Sequence, residues 1–217
     1  MLSDTRSRAS VGAKILVLPT ADLSGADDNA LVFALRAGHS QAPRVVWQRF
    51  AGMVHRIARR SLGQTSDLEE LVQEIFLNVF QRVSTLRDPR GLPYFIISVT
   101  NLTIRRELRR RRMRRWFHLG NARNDNQDQR TSQPDPKAGI ASARFYGILD
   151  RLDSQDRMAF VLRSMEGMEM GEVARSLNLS LASTRRRIGR ARAQIERHVQ
   201  RDPALVEFVR DEGNKAS

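Results

Sequence analysis

The chain has 217 residues, with 37 Lys and Arg against 24 Asp and Glu, giving a formal net charge of +13 and a pI near 11.4. Such an excess favours a polyanionic partner, and no apolar run approaches the roughly 20 residues that a membrane span needs, so nucleic acid is expected rather than a bilayer. There is no cysteine, which excludes disulfides, thiolate zinc sites and iron–sulfur clusters. Without a signal-peptide core the expected location is cytoplasmic, with no membrane insertion.

Residues 1–25 carry little periodicity and read as a disordered N-terminal segment. A first domain is expected over 26–116. It opens with a short helix from Asn29 to Ala37 and a longer one from Ala42 to Ser61 bearing Val45, Val46, Phe50, Met53, Val54 and Ile57. Between Ser66 and Phe80 the positions of Leu68, Leu71, Val72, Ile75, Phe76 and Val79 predict a third helix with one buried stripe. Ser66 followed three residues later by Glu69 predicts a capping box at its start.

The other face of that third helix is acidic and amide-rich, through Asp67, Glu70, Gln73, Glu74 and Asn78, in an otherwise basic protein. Three readings compete. The face is ordinary solvated surface with acids placed well for the helix dipole, a metal site, or a docking surface for a basic protein. Metal clusters usually draw ligands from several segments, and here one helix supplies them all. Docking is the preferred reading.

After a loop over 83–92 containing Pro89 and Gly91, a long helix is expected from about Pro93, since proline is tolerated in a first turn. Its first half is apolar, and from Arg105 onward it holds eight arginines in eleven residues. Such a run binds phosphates without sequence preference. Tyr94, Asn101 and Arg105 are better suited to holding an unstacked base, because an aromatic face or an amide edge contacts bases directly.

Residues 117–140 are polar, aperiodic and proline-containing, and read as a flexible linker that leaves the relative pose of its flanking units to what they bind. A second domain is expected over 141–200. Phe160, Val161, Ser164 and Met165 share one helix, ended by Glu166-Gly167, and Met170, Val173, Ala174 and Leu177 form a stripe on the next. Asn178-Leu179-Ser180 then turns the chain, with Ser180 placed as an N-cap. In the last helix Thr184, Ile188, Ala191, Ile195 and Val199 fall on one face, while Arg185, Arg186, Arg187, Arg190 and Arg192 crowd the rest. Five arginines within eight residues repel one another, and a helix-turn-helix entering a major groove gives that crowding a purpose. Residues 201–217 read as a tail with one more short helix near Ala204–Val209. The fold class is therefore all-α, as a four-helix domain and a helix-turn-helix domain.

This order of parts resembles the extracytoplasmic-function sigma factors of bacterial RNA polymerase. The carriers are Asp67-Leu68-Glu69-Glu70-Leu71-Val72-Gln73-Glu74-Ile75-Phe76, which looks like that family's acidic region 2 helix, and Asn101 followed by the arginine run. Leu152, Arg157, Glu172-Val173-Ala174, Ser180, Ser183 and Arg190-Ala191-Arg192 resemble region 4. The resemblance implies that Asp67, Glu70, Gln73 and Glu74 dock on the β′ clamp helices of core polymerase. It implies recognition and melting of the −10 element by Arg87, Asp88, Tyr94, Asn101, Arg105 and Arg109, and reading of the −35 element by Ser183, Arg185, Arg186, Arg187 and Arg190. It also implies contact with the β flap, a linker threading toward the RNA exit path, and an anti-sigma factor as a possible further partner. Two positions depart from the family pattern: Tyr94 stands where a tryptophan is common, and Arg105 where an acid often follows the asparagine. Both bear on −10 sequence preference rather than on class.

A stand-alone helix-turn-helix regulator is the rival reading, and it needs no acidic helix. For an enzyme the sequence offers little: His39, His55, His118 and His198 are scattered singly, with no phosphate loop and no nucleophile signature. No catalytic residue, metal ligand or cofactor is expected.

Overall fold

The computed structural model describes residues 23, 25–63, 65–118 and 136–207, and among them there are helices and turns but no strand. Among the described residues the chain forms α1 (Asp28–Arg36), α2 (Ala42–Leu62), α3 (Leu68–Arg82), α4 (Leu92–His118), α5 (Pro136–Leu149), α6 (Ser154–Phe160), α7 (Met170–Leu177) and α8 (Leu181–Val199). Helical residues also occur over 203–207. The expected disordered segment lies almost wholly outside the described residues, as do 119–135 of the expected linker and 208–217 of the tail. The helices on either side take up both ends of the 117–140 stretch, since α4 runs to His118 and α5 starts at Pro136.

In the N-terminal unit the sequence stripes become the core. Val46, Phe50, Val54 and Ile57 of α2 face Leu71, Val72, Ile75, Phe76 and Val79 of α3, and Leu92, Ile96, Ile97, Val99 and Ile104 of α4 complete the cluster. Burying an aliphatic side chain of this size stabilises by about 1.5–3 kcal/mol, which outweighs the poor helix propensity of the β-branched residues in α4. Two hydroxyls inside that helix are satisfied locally: Thr100 and Thr103 donate to the carbonyls of Ile96 and Val99, at 2.8 and 3.1 Å. Trp47 packs on Phe76 with ring centroids 4.5 Å apart.

The capping box expected at Ser66 and Glu69 is absent. Asp67 is the N-cap residue of α3 and makes no side-chain cap, while Ser66 donates to the Asp67 carboxylate at 2.8 Å. Glu69 turns away to His55, 3.0 Å from Nε2. The loop after α3 contains two 3₁₀ turns, Val83–Thr85 and Pro89–Gly91, and Arg36 of α1 pins it by donating to the carbonyls of Val83 and Leu86.

In the C-terminal unit α6 continues into a π-helical turn, Val161–Met165, whose chain leaves through Gly167 at φ +75°. The helix-turn-helix follows as expected. Asn178 takes the left-handed conformation at φ +54°, and Ser180 caps α8 by accepting from the Ser183 N–H at 3.2 Å. Thr184, Ile188, Ala191 and Ile195 are buried.

The two units do not take independent poses, contrary to the expectation drawn from the polar connection. Met158, Leu162 and Val173 belong to the same core cluster as α2, α3 and α4, and α4 packs against α6 and α7. At the end of α2, Gly63 (φ +78°) lies so close to the Tyr146 ring of α5 that a Cβ there would stand 3.3 Å from it. The apolar faces of α6 and α7 exceed what α8 alone can cover, and linker composition carries no information about that surplus.

Candidate nucleic-acid interface

Three surfaces carry the residues singled out by sequence. On α3, Asp67, Glu70, Gln73 and Glu74 are all exposed, and among the described residues no cation of the chain pairs with Glu70 or Glu74. Leu77 projects from the same face, seven residues after Glu70, and is 61% exposed. Sequence reasoning assigned it neither to the buried stripe nor to the acidic face. Its spacing from Glu70 and Glu74 is the signal that places it on the acidic side.

Along α4 the predicted −10 residues divide. Arg87 and Asp88 are exposed in the loop before the helix, and the Asp88 carboxylate accepts from the Arg90 N–H at 3.0 Å, which fixes the second 3₁₀ turn. Arg109 is exposed as well. Tyr94, Asn101 and Arg105 instead lie along the flank packed by the C-terminal unit. The Tyr94 hydroxyl donates to Glu172 Oε1 at 3.3 Å, and the Arg175 guanidinium sits 4.5 Å from the centre of the Tyr94 ring. Asn101 is 6% exposed, and its Oδ1 has no hydrogen-bond partner; Arg105 Nε is likewise buried and unpartnered.

The arginine run is less uniformly free than its composition implies. Glu107 draws three of its members, accepting from Arg110, Arg111 and Arg114 at 2.7, 2.8 and 3.2 Å. Arg115 reaches Asp150 at 2.8 Å. Arg106, Arg109, Met113 and Trp116 share an exposed stripe, and Trp116 is 76% exposed.

On α8 the five predicted residues also separate by orientation. Arg185 and Arg186 are exposed in the first turns, and Ser183 accepts from Arg186 at 3.3 Å. Arg187 and Arg190 turn back on Asp156 of α6, donating at 2.8 and 3.0 Å. That hydrogen bond and the Asp156 charge raise the Arg190 pKa above its ordinary value. A nearly buried carboxylate thus orients the recognition helix on its scaffold, a role the sequence did not signal.

Beneath this lies a second charged centre. Arg157 is 1% exposed and donates to Asp150 at 2.6 Å. Burial pulls the Arg157 pKa down, against the raising effect of Asp150. At Asp150 burial acts upward, but the hydrogen bonds and charges of Arg157 and Arg115 outweigh it and hold the carboxyl below its ordinary value.

Comparison with known proteins agrees with this layout. Residues 46–114 match the family model of Sigma-70 region 2, and residues 142–195 match that of Sigma-70 region 4. The chain belongs to the extracytoplasmic-function sigma factors of bacterial RNA polymerase. The sigma factor is 26% identical over 172 residues to NccH of Alcaligenes xylosoxydans xylosoxydans, covering 77% of this chain and 92% of that protein. It is 29% identical over 152 residues to SigE of Mycolicibacterium smegmatis, covering 68% of this chain but 58% of the relative. The solved structure of CnrH of Cupriavidus metallidurans, in complex with the cytosolic domain of CnrY, superposes with a TM-score of 0.57 at 25% identity, over 81% of this sigma factor and 98% of that chain. No helix among the described residues is long and apolar enough to cross a membrane.

Proposed function

We propose that this chain binds core RNA polymerase through the acidic face of α3 and directs it to promoters, reading −35 duplex with α8 and holding melted −10 bases against α4. The observation that carries the reading is a pair of surfaces on one chain. A carboxylate face centred on Glu70, Glu74 and Leu77 has no cation partner among the described residues, and a capped helix-turn-helix presents Arg185 and Arg186 to solvent.

Complementary charge on the polymerase side fixes docking register, and the exposed leucine supplies an apolar contact at its centre. On α8, Ser183, Arg185 and Arg186 are the base readers, with a bidentate arginine–guanine contact discriminating by about 1–3 kcal/mol. Arg187 and Arg190 act by setting the angle of the helix, and Arg190 retains enough exposure for a phosphate. Strand separation needs no bond chemistry: unstacking a base costs a few kcal/mol, which aromatic and amide contacts offset for the preferred base. We assign Tyr94 and Asn101 to that pocket, with Arg87, Asp88, Arg105 and Arg109 positioning the strand. A regulatory protein that covers these surfaces belongs to the same proposal, in keeping with the complex in which CnrH was solved.

Reconstitution with core polymerase tests it. The wild type should yield initiation at discrete sites on genomic DNA, and E70K/E74K should lose core binding while keeping duplex binding. Tight duplex binding with no association to core polymerase would favour the stand-alone regulator.

A further inference from the structure

The surface assigned to melted DNA is already occupied. Tyr94 is engaged by Glu172 and Arg175 of α7, and Asn101 and Arg105 lie on the helix that packs against α7. Beside it, Arg60 of α2 donates to the Met165 carbonyl and to Glu166 Oε1 at 2.9 Å, and Arg56 stands 3.6 Å from the same carboxylate. The polymerase face of α3 and the first turns of α8 are left open.

We infer that the C-terminal unit is the resting occupant of the strand-reading face of α4, latched by Glu166 and Glu172, and that single-stranded DNA and this unit compete for that face. The inference rests on the assignment of Tyr94 and Asn101 to the −10 strand. The free protein is then masked for melted DNA while remaining competent for polymerase docking and for duplex contact through α8.

Two features make the closed state exchangeable. The buried side-chain polar atoms that lack a partner among the described residues are Asn101 Oδ1, Arg105 Nε, Arg157 Nε and Nη2, and Ser176 Oγ. All belong to α4, α6 and α7, the helices that meet across the boundary. Closure therefore leaves polar groups unmet, and a nucleic acid supplies partners for two of them: base edges for Asn101 and phosphate for Arg105. Opposing this, Met158, Leu162 and Val173 are buried only while the units stay together with the N-terminal core. With apolar burial and unmet polar groups in opposition, the rim ion pairs decide the balance, and those are screened by salt.

The absence of native cysteine allows a direct test. Fluorophores at Q48C and A193C, both exposed positions, report the separation of the units, and anisotropy of a labelled random single strand reports access to α4. R60E repels Glu166 and should lower energy transfer and raise single-strand affinity about tenfold, since a latch of that strength holds roughly nine molecules in ten closed. The charge swap R60E/E166R should restore both readings, which separates latch loss from misfolding. Unchanged transfer in R60E, or reduced transfer with unchanged single-strand affinity, would overturn the masking. Adding Y94A distinguishes the underlying assignment. If Y94A leaves the affinity of the opened variant unchanged, the strand-reading role itself is wrong. If the wild type already binds single strands as tightly as R60E and Y94A weakens it, the role stands and the masking does not.

Discussion

Asp156 and Asp150 show how much of this sigma factor's architecture hangs on single carboxylates. Asp156 is nearly buried and satisfies Arg187 and Arg190 together, so its removal leaves two neighbouring guanidinium groups with only the more exposed Asp153, 3.6 Å from Arg187, as counter-charge. Hydrogen bonds to charged groups contribute about 1.5–3 kcal/mol, and D156A should lower the unfolding free energy by about 2–3 kcal/mol. Urea denaturation followed by circular dichroism measures this; a loss under half a kilocalorie would show that the arginines find solvent at no cost. Asp150 makes a pH prediction. Its folded pKa lies below the ordinary carboxylate value of 3.8, so its contribution is fully present above that value and is lost as pH falls through the lower, folded value. The stability difference between wild type and D150N should be constant at neutral pH and shrink in strongly acidic buffer. A difference that grew on acidification would contradict the sign.

At the scale of helices, the roles proposed for α8 separate reading from positioning. R186A removes an exposed guanidinium and should relax −35 discrimination by about 1–3 kcal/mol with little change in melting temperature. R187A removes a partner of Asp156 and should lower the melting temperature, with reduced discrimination following from the loosened helix. Binding to a panel of single-base −35 variants, alongside thermal melts, checks both; equal effects of the two substitutions on both readouts would erase the division. The stripe of α8, its Ser180 cap and the turn through Asn178 were legible because period and capping chemistry are local. So was the stripe of α3. What escaped sequence reading depends on partners distant in the chain: the 31-residue separation of Arg187 from Asp156, and the diversion of Glu69 to His55 that leaves no capping box. Residue type marks which side chains are chemically suited to DNA. It did not tell that Tyr94 and Asn101 face the protein's own C-terminal unit, because the apolar surplus on α6 and α7 becomes visible only once α8 has covered its share.

For the molecule as a whole, the question is whether two units behave as one. Met158 sits on α6, fully buried, with its sulfur 3.3 Å from the Ser61 hydroxyl of α2. In a chain whose C-terminal unit was detached from the N-terminal one, that side chain would border solvent and M158A would cost within about 0.5 kcal/mol, as surface substitutions do. Packed as observed, truncation removes methylene groups from a core shared by α2 and α6 and leaves a cavity, at a cost of about 2–5 kcal/mol. Scanning calorimetry therefore discriminates sharply. The wild type should unfold in a single transition carrying the enthalpy of both units, and M158A should lower its midpoint and begin to resolve a separate transition for the C-terminal unit. Two transitions in the wild type, with M158A altering neither, would mean that each unit keeps its own core and that the shared one contributes nothing to stability.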